Sequence, residues 1–181
     1  MFTKLNGEKM EAIIELPKEM QASMQGNRLV LKSPKGESSK EFKALGISIK
    51  AEGNKVRISA AKDSKKEKKL VNSIQAHVKN LAKGLEKEYA YRLSIVYAHF
   101  PINVTKKENK IEIVNFLGSK KPKQALIVGK TSVEIKGKEI IVKGADKEHV
   151  GQTAANIEQL TRLKGKDRRI FQDGIFITAK E

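Results

Sequence analysis

The chain has 181 residues, of which 37 are Lys or Arg and 21 are Asp or Glu, giving a formal charge of +16. Apolar residues make up 39% and cysteine is absent. One large or two small cores can be built from this, while wholesale disorder, disulfides, thiolate catalysis and cysteine-held zinc or iron–sulfur centres are excluded. An excess of one sign repels itself in a compact body unless a polyanion relieves it, with nucleic acid the first candidate and an anionic membrane surface the second.

The first twenty residues, MFTKLNGEKMEAIIELPKEM, lack the apolar run of a secretory signal. No stretch approaches the roughly 18–20 apolar residues of a membrane span. The reading is a soluble, intracellular protein. Residues 22–31, ASMQGNRLVL, alternate at Ala22/Met24 and Leu29/Leu31 around Gly26-Asn27, a β-hairpin pattern. Residues 32–42, KSPKGESSKEF, combine proline, glycine and lysine and predict a surface loop. A second hairpin runs from Ile47 and Ile49 through Glu52-Gly53-Asn54 to Val56 and Ile58. Ser64 with Glu67 three residues on has the form of a capping box. Leu70, Val71, Ile74, Val78 and Leu81 then predict one helical stripe, closed by Lys83-Gly84. The lysine run at 62–70 reads as a solvated helix surface.

The order then repeats. INVTKKENKIEI, residues 102–113, is a hairpin with Ile102/Val104 and Ile111/Ile113 inward. GSKKPKQA, residues 118–125, occupies the loop position, with Lys120, Lys121 and Lys123 around Pro122. It is either a solvated turn or a phosphate-contacting loop. Val133 and Ile135 lead through Lys136-Gly137-Lys138 to Ile140 and Val142. Asp146 caps a second helix with Val150, Ala154, Ile157 and Leu160 inward, closed by Lys164-Gly165. From cap to closing glycine, the two helices read as nearly equal in length. Equivalent positions recur at a period of about 80 residues, the mark of a duplication. The fold class expected is α+β: two tandem duplicated domains, 1–83 and 84–181, each a mostly antiparallel β-sheet packed against one α-helix.

After Gly165, Lys166, Asp167, Arg168 and Arg169 precede an apolar ending with Ile170, Phe171, Ile175, Phe176 and Ile177. Gln172-Asp173-Gly174 predicts a tight turn into a short strand that anchors the segment. Anchored guanidinium forks of this kind suit phosphate oxygens.

Catalytic constellations are not visible. His77, His99 and His149 have no ligand-spaced partners, and phosphate-loop, dinucleotide and nucleophile-elbow motifs are absent. Neither an enzyme, a metal, a cofactor nor a small-molecule substrate is expected. Aromatics amount to 5%, so the residues suggest binding to phosphates and shape more than to splayed bases.

The stretch KGADKEHVGQTAANIEQLTRLKGKDRRIFQDGIFI, residues 143–177, closely resembles the C-terminal signature of the large-subunit ribosomal protein L-six family, in its archaeal and eukaryotic branch. GNRLVLKSPKGE, residues 26–37, resembles that family's N-terminal hairpin and loop. The resemblance implies a structural constituent of the large ribosomal subunit, not an enzyme. Its partners would be large-subunit rRNA, near the sarcin–ricin loop and stalk base, and neighbouring ribosomal proteins, in the cytoplasm and with no membrane partner. Carried onto this sequence, it assigns rRNA contacts to Lys164, Lys166, Arg168, Arg169 and Gln172, places Gly151 and Gln152 near backbone or a neighbouring loop, and gives lesser roles to Lys120, Lys121 and Lys123, then to Lys32, Lys35 and Lys40. The second domain would be the main rRNA-binding one. A duplicated saddle-like DNA-binding protein is the alternative; it needs paired apolar wedges, and Phe42, Phe100 and Phe116 do not occupy equivalent positions in the repeat.

Overall fold

A computed structural model describes residues 10–17, 19–42, 46–62, 64–167 and 169–181. Arg168 therefore lies outside the described residues. The chain divides into two compact units, Met1–Lys87 and Glu88–Glu181.

The first unit contains β1 (Met10–Glu15), β2 (Gln21–Gln25), β3 (Arg28–Ser33), β4 (Gly36–Glu41), β5 (Ile47–Glu52), β6 (Lys55–Ala60) and α1 (Lys65–Glu86). Two antiparallel three-stranded sheets form, in the orders β1-β6-β5 and β2-β3-β4. The second unit repeats this with β7 (Tyr89–Val96), β8 (Asn103–Lys107), β9 (Lys110–Val114), β10 (Lys123–Leu126), β11 (Ser132–Lys136), β12 (Glu139–Gly144) and α2 (Lys147–Leu160). It then adds β13 (Gly174–Lys180), giving sheets β10-β9-β8 and β11-β12-β7-β13. The duplicated α+β class is thus present, with two sheets per unit.

Both expected hairpins occur in each unit. Their two-residue turns bring Gln25 opposite Arg28, Glu52 opposite Lys55, Lys107 opposite Lys110 and Lys136 opposite Glu139. In three of them a glycine takes the positive φ of the first turn position: Gly26, Gly53 and Gly137, near +60°. Glu108 takes that position in the fourth, at φ 47°.

Of the two segments expected to be loops, the first is mostly strand, whereas the second is loop from Ser119 to Pro122 and enters a strand only at Lys123. Residues 36–41, GESSKE, form edge strand β4, and residues 123–126 form β10. Neither reads as a strand in sequence: GESSKE has no apolar residue, and in the four-residue KQAL the burial alternates but only Ala125 is buried, too short a signal to see.

Both helix ends differ from expectation. Gly84 lies inside α1 and is buried, since Leu85 continues the apolar stripe of Val71, Ile74, Val78, Leu81 and Ala82. Leu70, expected on that stripe, is 42% exposed. α2 stops at Leu160, before Lys164-Gly165, so the helices have 22 and 14 residues and are not of equal length. The N-caps are as read. The Ser64 hydroxyl accepts from Lys66 N–H at 3.2 Å and bonds the Glu67 carboxylate, and Asp146 Oδ1 accepts from Glu148 N–H at 2.8 Å.

The core of the second unit centres on Leu93, Ile111, Ile113, Ile140, Val142, Val150, Ala154, Ile157 and Ile175, all fully buried. Burying such side chains contributes about 1.5–3 kcal/mol each, which lets a small sheet hold a charged periphery.

Candidate nucleic-acid interface

The cationic region is built on the place where α2 ends. Thr161 determines that place. Its hydroxyl, in a side chain almost wholly buried, accepts Ile175 N–H at 2.9 Å and donates to Glu158 O at 3.1 Å. The helix end is thereby tied to the first residues of β13, and residues 162–167 and 169–173 run between them outside helix and strand. Gly165, at φ +66°, turns the chain within this loop.

Asp167, itself exposed, ties the loop to its own backbone. Its Oδ1 accepts Arg169 N–H at 2.9 Å, and its carbonyl accepts Phe171 N–H at 2.9 Å. Asp173 anchors the far end. It is 1% exposed, and its Oδ1 accepts Ala98 N–H at 2.7 Å with His99 Nδ1 at 3.4 Å from Oδ2. The His99 ring stacks on Phe171, centroids 4.9 Å apart, and Lys166 Nζ lies 4.4 Å from the Phe171 centroid.

The acids around the loop are thus occupied by backbone amides: Asp167 by Arg169, Asp173 by Ala98, and Glu158 by Ile177 N–H at 3.0 Å. Lys164, Lys166, Arg169 and Gln172 are exposed. Among the described residues, no carboxylate lies within ion-pair distance of Lys120, Lys121, Arg162, Lys164, Lys166 or Arg169. One buried acid, Asp173, and two that are not buried, Glu158 and Asp167, are engaged by backbone amides, while the cations face outward.

The 115–123 segment joins the same end of α2. Asn115 and Leu117 adopt φ 63° and 53°, a conformation that costs non-glycine residues about 1 kcal/mol or more. Asn115 Nδ2 donates to Pro101 O at 3.0 Å, and Phe116 is buried beneath Lys123, whose Nζ is 4.4 Å from the ring centroid. Lys123 Nζ donates to Leu160 O at 2.8 Å, capping the negative end of the helix. Burial, and then the neighbouring Lys164, hold the Lys123 ammonium below its usual pKa. Lys120 and Lys121 are exposed beside it.

Structure therefore gathers Lys120, Lys121, Lys123, Lys164, Lys166 and Arg169 at one end of α2, and gives Lys123 a capping task there. It places Gly151 and Gln152 elsewhere. Gln152 stands eight residues before Leu160, about 12 Å along the helix axis. Its Nε2 donates to Asn156 Oδ1 at 2.8 Å, and Asn156 Nδ2 donates to Leu126 O at 3.3 Å. Gly151 faces the sheet, since a Cβ there would lie 3.7 Å from the Tyr91 hydroxyl. In the first unit, Lys35 Nζ donates to Glu86 O at 2.8 Å, the C-terminal cap of α1, and Lys40 Nζ lies 3.0 Å from His77 Nδ1.

Arg162 and Gln159 were not singled out from sequence. Both line two clefts on either side of the helix end. One, about 680 Å³, has Val96, Leu163, Phe171 and Phe176 as apolar walls, with Glu158 and Gln172 also lining it. The other, about 490 Å³, holds Ser119, Lys123 and Lys164. Among the described residues, no group of His, Cys, Asp and Glu is arranged to hold a metal, and no helix is long and apolar enough to cross a membrane.

A duplicated α+β scaffold whose second copy carries a cationic loop with no carboxylate partner among the described residues defines a class of basic, two-unit α+β protein. Comparison with known proteins narrows it. The family model described as Ribosomal protein L6 matches residues 16–88 and 100–174, one match per unit. The large ribosomal subunit protein uL6 of Methanocella arvoryzae is 44% identical over 168 residues, 92% of this chain and 95% of that protein. Those of Archaeoglobus fulgidus and Saccharolobus solfataricus are 43% and 42% identical, covering 94% and 93% of this chain and 89% and 93% of theirs. The chain belongs to this ribosomal protein family, whose members are structural components of the ribosome and not enzymes.

Proposed function

We propose that the protein is a constituent of the large ribosomal subunit in the cytoplasm, and that it binds large-subunit rRNA mainly through its second unit. The target region is the sarcin–ricin loop and stalk base, beside neighbouring ribosomal proteins, where the protein supports the surface on which translation factors bind. One observation carries this reading: the cations at the end of α2 face outward while the adjoining acids are engaged by backbone amides. That arrangement leaves a fixed positive surface for phosphate oxygens.

The saddle-like DNA-binding reading loses ground here, because Phe116 is a core residue and cannot serve as a wedge.

The test is a triple variant, Lys164→Ala, Lys166→Ala and Arg169→Ala, titrated against a folded large-subunit rRNA fragment containing the sarcin–ricin region. Affinity should fall by about 10- to 1000-fold near physiological salt, and the slope of log affinity against log salt should shrink by about 2–3. Lys65→Ala with Lys66→Ala should leave both unchanged. If the triple variant binds as the parent does, the interface lies on another surface. If footprints fall only away from the sarcin–ricin region and stalk base, the proposed location is wrong.

A further inference from the structure

We propose that the two clefts flanking Arg162 form one bipartite site for a single unstacked RNA nucleotide, with the base in the apolar cleft and its phosphate in the basic one. The proposal deepens the rRNA-binding reading and rests on it. It also departs from the expectation, read from the low aromatic content, that phosphates and shape are bound more than splayed bases.

The two clefts share Gln159, Arg162 and Leu163, so they lie on either side of one short ridge at the end of α2. Their chemistry is opposite. The basic cleft has Lys123, Lys164 and Ser119 and no acid in its lining. Leu160 O, the carbonyl that would repel an anion there, already accepts from Lys123. The apolar cleft includes Glu158, which disfavours phosphate, and four apolar side chains, which favour a flat uncharged ring.

Phe176 supplies the stacking face. It is 45% exposed although it belongs to a strand whose next inward neighbour, Ile175, is fully buried. Its ring lies over Gly174, where even a Cβ would come within 2.9 Å of ring carbon Cζ. A ring held against backbone in this way loses little freedom when a base stacks on it. Phe171 is already stacked with His99 and so serves as a wall.

The amides of Gln159 and Gln172 have no hydrogen-bond partner among the described residues. Each offers a donor and an acceptor, which is what the edge of an unpaired base requires. Arg162, between the clefts and without an ion-pair partner, can stack its guanidinium plane on the base while donating to the phosphate.

The test uses the full chain and two RNA hairpins of equal length, one fully paired and one with a single bulged 2-aminopurine. The parent should prefer the bulged hairpin by about 5- to 100-fold, the range expected for one stacked base, and the 2-aminopurine fluorescence should change on binding. Phe176→Ala should abolish that preference, read as the ratio of bulged to paired affinity within the same variant, and circular dichroism confirms its fold. Arg162→Ala should weaken bulged binding more than paired binding. Equal parental affinity for both hairpins overturns the nucleotide site and leaves the broader rRNA reading standing. Failure to bind either hairpin or the folded rRNA fragment overturns both. In assembled subunits, Phe176→p-benzoylphenylalanine should cross-link to RNA; a cross-link to protein alone assigns the cleft to a protein neighbour and overturns the proposal.

Discussion

The two units use one scaffold and part company where their helices end. In both, a lysine from the chain around the third strand caps the helix C-terminus: Lys35 on Glu86 O and Lys123 on Leu160 O. In the first unit the helix runs 22 residues, and its apolar stripe continues to Leu85. In the second it stops after 14, and the chain leaves it to form a cationic loop and the extra strand β13. The lesson is that two copies of one fold can differ mainly in where the helix stops. The sheets and the cap recur, while the chain beyond the shorter helix forms the loop.

The largest effect should come from breaking one copy's core. Ile157 is fully buried between α2 and the sheets of the second unit. Ile157→Asp places an unpaired carboxylate there, at a cost of about 3–5 kcal/mol or more. Hydrogen exchange should show protection lost in β7, β9 and β12 but kept in β3 and β6. Simultaneous loss in both units would show that the copies fold as one cooperative body.

A smaller effect distinguishes the connections that precede β5 and β11. Gly46 and Gly129 both have positive φ, +80° and +60°. At Gly46 a Cβ meets nothing within 4 Å, whereas at Gly129 it falls 2.4 Å from His149 Nδ1. That imidazole lies 3.4 Å from the Asp146 carboxylate at the start of α2. Gly46→Ala should therefore cost about 1 kcal/mol from backbone strain alone. Gly129→Ala should cost about 2–3 kcal/mol, since the imidazole must also move. Equal melting temperatures for the two variants would show that His149 swings away freely.

The duplication was legible because its signals are local. Alternating apolar residues around short turns gave four hairpins, and Ser64 and Asp146 gave two helix starts. The helix ends were misread because Lys-Gly pairs suggested them, whereas burial of Leu85 prolongs one helix and Thr161, held by Ile175, halts the other. Strand β4 was hidden by the absence of apolar residues in GESSKE. In the candidate site, the cations of the 164–169 stretch could be read directly. Arg162 and Gln159 could not, since their significance depends on Val96, Phe116 and Phe176 converging from distant parts of the chain.

The smallest effect tests one polar exception to the repeat. Hairpin alignment places Glu112 where the first unit has Val30, between Ile111 and Ile113 as Val30 lies between Leu29 and Leu31. Lys107 Nζ lies 2.5 Å from its carboxylate, and Gln124 Nε2 donates to it at 3.3 Å. These bonds, the lysine's first, hold the Glu112 pKa below its ordinary value of 4.5. A depressed carboxylate contributes stability that is present above the unfolded-state pKa and disappears as pH falls through the folded-state value. Its contribution should therefore be complete at neutral pH and vanish only in the acid range below about 4.5. Glu112→Gln should reduce the acid dependence of the second unit's unfolding midpoint, with little change in the first unit. An unchanged pH profile for Glu112→Gln would show that the carboxylate–lysine contact is no stronger in the folded chain than between the same groups in water.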